Sequence, residues 1–231
     1  MFDSPIKMWA WLWCLGDRER AVKDASEKLQ MSMRVTAKSR YNASTRLQYQ
    51  EKFSFFTTTA LSLGLIFIPL MQNAGVNLAF KPNVLNMMQI FLAVSVLVYS
   101  IVIATSRFEI RAAKLTDCGD RLKELIRSMD KDREAESRLS EETLGEYQRR
   151  YSNVVTDSEN HIRSDYYLAT LEMRNDYFIT GIPRFVTFVQ SYVIRFAAYI
   201  IPSSLIIFEV TFITDMIGAT SSLVGYFNGI N

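Results

Sequence analysis

Charge is kept out of two long stretches of this chain. From Phe53 to Ser106 the only charged residue is Lys81, and from Phe196 to Asn231 only Glu209 and Asp215 occur. Most of the 26 basic and 24 acidic side chains therefore fall within 17–52 and 107–195. A soluble globular chain interleaves charged and apolar residues at the period of its helices or strands. Blocks of this kind argue against a soluble enzyme, a disordered tail or a secreted disulfide scaffold. They point to an all-α, helical integral membrane protein with a cytoplasmic helical bundle. The expected division is 1–52 for amphipathic and basic cytoplasmic helices and 53–106 for a transmembrane hairpin. A cytoplasmic helical domain over 107–184 and a C-terminal apolar segment over 185–231 complete it. A length of 231 residues suits one membrane module with a modest soluble part.

The first span is read as Phe53–Met71, FSFFTTTALSLGLIFIPLM, and the second as Met87–Thr105, MMQIFLAVSVLVYSIVIAT. Each would rise about 28 Å as a helix, close to a hydrocarbon core of about 30 Å. Hydroxyls within them can bond back to the preceding turn, and Pro69 stands near the far end of the first. Gln72–Asn86, with Gly75, Lys81 and Pro82, reads as the hairpin loop. Ten Lys and Arg precede residue 53 and fourteen lie in Arg107–Arg184, against one in the loop. Both flanks are therefore expected in the cytoplasm, with the hairpin outside. Met1–Gly16 lacks the pattern of a cleavable signal peptide. Its Trp9, Trp11 and Trp13 read either as an interfacial anchor or as rings packed on the protein's own helices.

Val193–Thr214 leaves three readings open. It is apolar enough to span, but Arg195 opens it, Pro202 interrupts it and Glu209 lies within it. Residues 193–214 are a third crossing with an outside C-terminus, a re-entrant helix, or the apolar core of a cytoplasmic domain.

In the charged regions Asp17 is a candidate cap for a helix from Arg18, with Val22, Ala25, Leu29 and Met33 on one face. Leu115, Cys118, Leu122, Leu125 and Met129 form a two-heptad seam suited to a bundle. Asp130–Arg138 reads as a turn or frayed end, and Ser140 with Glu141 and Glu142 as a new helix start. Tyr147, Tyr151, Val155, Ile162, Tyr166 and Ala169 would line one face of that helix, which Gly181 and Pro183 would end.

The motifs of catalysis are missing. There is one histidine, His161, and no G-x-S-x-G, phosphate-cradling glycine loop or H-E-x-x-H. Cys14 and Cys118 are lone thiols without CxxC spacing. Acidic pairs such as Glu134 with Glu136 read as solvated helix surface. A net charge of +2 is too small to draw nucleic acid in bulk. The chain is expected not to be an enzyme and to hold no cofactor or metal.

Three polar features remain. Asn160, His161 and Asp165 put His161 and Asp165 four apart, where a helix would let them hydrogen-bond; they read as a polar lock or as a ligand-contacting, pH-sensitive switch. Lys38, Arg40 and Arg46, and the pair Arg149 and Arg150, read as solvated basic surface or as a site for a phosphate-bearing ligand. Thr58 and Ser62, and Gln89 with Ser100, fall on single faces of their spans, as helix packing or pore lining would require. Glu209, costly within a membrane unless it faces water or a partner, is the leading pore or gating candidate.

The pattern resembles the SLATT family, two-transmembrane effectors associated with nucleotidyltransferase-based antiphage systems. The resemblance rests on TAKSRYNASTRLQYQEKFS running into TTTALSLGLI, on SRFEIRAAKLTDCGDRLKEL after the second span, and on the later ENHIRSDYY. It covers about Ala37–Met173. It implies a homo-oligomeric pore, a tetramer by default, in the lipid bilayer. A nucleotide or single-stranded oligonucleotide made by a partner nucleotidyltransferase would open it or hold it closed, and its opening would depolarise the membrane and arrest the host. A non-conducting scaffold that recruits a cytoplasmic partner is the competing reading. A transporter is the weakest, for want of spans and of an internal repeat.

Overall fold

The computed structural model describes residues 5–135 and 139–228. Nine α-helices and one 3₁₀ turn occur among these residues, and no strand occurs among them beyond an isolated bridge between Glu19 and Tyr177. The fold is an all-α membrane protein: three helical runs, Ala25–Asn73, Pro82–Ala135 and Gly181–Met216, each contain a stretch long and apolar enough to cross a bilayer. The chain divides into a polar unit, 1–48 with 109–197, and an apolar unit, 49–108 with 198–231.

In the polar unit, α1 (Pro5–Trp13) is followed by an irregular stretch, and α2 (Ala25–Asn73) then begins. The cap of α2 is Asp24, whose Oδ1 accepts the Glu27 N–H at 2.8 Å, so the expected start at Arg18 under Asp17 is corrected by seven residues. Lys23 N–H donates to the Glu27 carboxylate at 2.7 Å, which completes a two-way cap at this point. Val22 consequently lies outside the helix and is exposed.

From Leu29 to Leu47, α2 buries most of its circumference, polar residues included. Around it pack α4 (Phe108–Ala135), α5 (Glu141–Thr156) and α6 (Arg163–Glu172). The seam Leu115, Cys118, Leu122, Leu125 and Met129 is buried along α4 as its spacing requires. That helix continues through Ala135, where a turn was expected from Asp130; residues 136–138, Glu136 among them, lie outside the described residues. Ser140 caps α5, its hydroxyl accepting the Thr143 N–H at 3.1 Å.

The single helix expected from Ser140 to Gly181 is two helices. α5 stops at Thr156, a loop follows, and α6 starts at Arg163. Gly181 and Pro183 do not end a helix but open one, α7 (Gly181–Phe196). Proline is tolerated in the first turn, where its missing N–H has no partner to lose. Gly181 has φ +56°, and a Cβ there would overlap the backbone of Leu12, so the residue is required on both grounds.

The apolar unit holds the second half of α2, then α3 (Pro82–Ser106), a 3₁₀ turn (Ala197–Tyr199), α8 (Ile200–Met216) and α9 (Val224–Asn228). Pro82 occupies the first helical position of α3, so the hairpin loop is shorter than Gln72–Asn86. Leu61 and Ile68 of α2, Leu85, Met88 and Leu92 of α3, and Phe212 and Met216 of α8 form one core with Phe80.

Aromatic contacts locate α8 along its whole length. Tyr199, just before it, meets Phe53 edge-on at 5.1 Å. Phe208 meets Phe91 at 5.7 Å, and Phe212 stacks on Phe80 of the hairpin loop at 4.6 Å. α8 thus runs beside the hairpin from its base to its loop. The run that contains it, Gly181–Met216, is long and apolar enough to cross a bilayer. Pro202 falls in the first turn of α8 and breaks nothing, since the interruption of this apolar block is the 3₁₀ turn before it.

Candidate gating and ligand sites

The two carboxyls of α8 have different fates. Asp215, near the C-terminal end of α8, is fully buried and accepts N–H bonds from Ser222 at 3.1 Å and Leu223 at 2.5 Å, with the Thr220 hydroxyl as a third donor. It holds the turn between α8 and α9. Glu209 is 2% exposed and its Oε1 has no hydrogen-bond partner among the described residues. It lies against Gly64 of α2, where any Cβ would overlap the carboxyl. The sequence signals the acid, but Gly64 passes unnoticed until the contact is seen; a small residue on an apolar helix face is the one available cue.

The other pore candidates are half-buried within this unit. Thr58 and Ser62 bond back to the carbonyls of Ser54 and Thr58, at 3.0 and 2.8 Å. Gln89 donates to Gln72 across the hairpin, and Ser100 is half-buried on α3. None of these residues lines the large apolar groove of the unit, about 640 Å³, which lies among Phe53, Val98, Tyr99, Tyr199 and Leu205.

The ligand candidates of the polar unit separate into two groups. Asp165, fully buried at the third position of α6, receives Arg46 of α2 as a fork, with Nε and Nη2 at 3.1 Å. Arg195 of α7 reaches Oδ1, the oxygen that Arg46 Nε also takes, at 2.9 Å and also donates to the carbonyl of Asn42 at 3.3 Å. Asn42 in turn donates to Glu172 at 3.1 Å. Arg40 is buried and donates to the backbone carbonyl of Glu159, whose side chain takes Arg111 at 2.8 Å. Lys38 pairs with Glu172 at 3.2 Å near the surface.

His161 departs from its expected place. It precedes α6, so no helix carries it opposite Asp165, and no hydrogen bond joins the two. Asp165 instead accepts the Ile162 N–H at 3.3 Å, and Asn160 Oδ1 accepts the His161 N–H at 3.1 Å. The imidazole stacks near Tyr166 at 6.3 Å, with Nδ1 buried and unpartnered. Burial pushes its pKa down, the Arg40 guanidinium adds to this, and Asp165 offsets part of it.

Arg149 and Arg150 stand apart on the exposed side of α5. Arg149 pairs with Glu146 at 3.5 Å. Arg150 lines an open pocket of about 370 Å³ with Arg121, Ser128 and Asn153. Arg121 there is held by Asp157 at 2.8 Å. The structure therefore joins Arg46, Asp165 and Arg195 in one internal cluster, engages Arg40 separately at the Glu159 carbonyl, and leaves Arg149 and Arg150 facing out. Arg195 belongs to that cluster although the sequence places it at the head of an apolar block.

Residues 22–213 match the SMODS and SLOG-associating 2TM effector domain family 5. The chain belongs to this family. The match covers both helices of the hairpin and nearly all of α8, so this SLATT effector domain includes the third apolar helix, beyond the Ala37–Met173 that the resemblance spans. No curated protein and no solved structure matches the SLATT chain.

Proposed function

We propose that this SLATT protein is a non-catalytic, pore-forming effector of antiphage defence in the bacterial inner membrane. It works as a homo-oligomer, and a nucleotide or oligonucleotide from a partner nucleotidyltransferase gates it. The observation that carries the reading is Glu209: buried against Gly64, with an Oε1 that has no hydrogen-bond partner among the described residues. A membrane anchor has no use for so costly a group, whereas a gate that exposes it to water on opening does. One chain contributes three apolar helices, too few to enclose a water-filled path, hence the oligomer.

The ligand face is the α5 surface around Arg149, Arg150 and Arg121. A phosphate needs exposed donors, and Arg40 and Arg46 are already engaged inside the protein. α2, a single 49-residue helix that is core in the polar unit and span in the apolar one, supplies the element through which a ligand-induced shift passes. Ion flux from liposomes carrying the full chain tests the reading. Glu209→Gln is expected to change conductance or its dependence on nucleotide, while a scaffold tolerates it without change. Arg149→Ala with Arg150→Ala is expected to abolish the nucleotide response and leave basal flux intact.

A further inference from the structure

α7 is built inside out. Arg184, Ser191 and Arg195 share one helical face, and that face turns into the polar unit. Arg184 donates to the Leu171 carbonyl at 3.0 Å, Ser191 is fully buried, and Arg195 holds Asp165. The opposite face carries Ile182, Phe185, Val186, Val189, Val193 and Phe196, all exposed, Phe185 to 67%. Beside it lies α1, whose three tryptophans are also exposed. The two helices are joined where Thr180 donates to the Trp11 carbonyl at 2.8 Å and where Gly181 leaves room for the Leu12 backbone. Apolar surface on this scale in a soluble unit requires a covering.

Length identifies what covers it. Gly181–Met216 is a run of 36 residues, about 54 Å as helix, against a hydrocarbon core of about 30 Å. α8 alone accounts for about 26 Å of that core, so a crossing does not need α7, whose chain continues through a 3₁₀ turn into α8. An amphipathic helix in that position, with tryptophans beside it, has the composition of the headgroup layer. We propose that α7 and α1 form an interfacial platform that rests in the headgroup layer of the bilayer, with the apolar sides of both helices toward the acyl chains. The proposal does not depend on pore formation.

The chain has three tryptophans, all in α1, so its native fluorescence reports that helix alone. A second reporter, Phe185→Trp with Trp9, Trp11 and Trp13 each replaced by phenylalanine, reports α7; Phe185 is exposed, so the exchange disturbs no core. Both full-length proteins are placed in phosphatidylcholine liposomes with bromine at defined depths along the acyl chain, and iodide serves as the aqueous quencher. The expected result is blue-shifted emission from both, quenched most by bromines nearest the headgroup and little by iodide. Strongest quenching by bromines at the bilayer centre would overturn the proposal, since the helices would then cross. Quenching by iodide alone would place them in water and overturn it too. Emission indifferent to every quencher would mean that a second copy of the chain covers them. Shallow quenching of α1 without α7 would likewise reject a joint platform.

Discussion

Asp165 is the residue on which the polar unit depends most. It is fully buried between two guanidiniums, and removing one partner of such a cluster leaves uncompensated charge inside. Asp165→Ala is expected to cost about 3–5 kcal/mol, seen as a large fall in the thermal midpoint of the helical signal, with Asp165→Asn falling less. His161 gives the pH dependence. Its folded pKa lies below the ordinary histidine value, so the unfolded chain binds the proton more readily. Stability is then complete above the unfolded value, about 6.5, and declines as pH falls below it. His161→Asn is expected to flatten that decline between pH 7 and 5, measured by denaturant midpoints at each pH. An unaltered slope would place the acid sensitivity elsewhere.

At the scale of elements, the docking of α1 on α7 turns on Gly181. Gly181→Ala is expected to release α1 and expose Cys14, which is 6% exposed and held at the Phe178 carbonyl at 3.4 Å. Maleimide labelling would then rise at Cys14, while Cys118, buried in the α4 seam, stays protected. The α4 seam, the Ser140 cap and the two spans of the hairpin could be read from the sequence because each follows from local periodicity or local chemistry. The breaks around α6 could not. The polar run Thr156–Asn160 is a loop signal but holds no glycine or proline to force a break, and the interruption is stabilised by long-range partners, Arg40 on Glu159 and Arg46 and Arg195 on Asp165. α7 misleads for a related reason. Its apolar face and its place before α8 look like part of one span until the polar face is seen to have its own partners.

For the whole molecule, the proposed function requires the three apolar helices of each chain to assemble into a gated conduction path. Glu209 at the α2–α8 contact is the feature of the candidate site that composition announced. The Gly64 that accommodates it, and the engagement of Arg40 and Arg46 inside the protein, depend on tertiary packing that no local pattern encodes. The most direct measurement is ion flux through liposomes carrying the purified full chain, with and without a panel of cyclic nucleotides and short single-stranded oligonucleotides. The predicted result is flux that at least one panel member raises or suppresses, and that Glu209→Gln alters. No flux under any condition, from protein shown to be folded and inserted, would contradict the account and leave a membrane scaffold in its place.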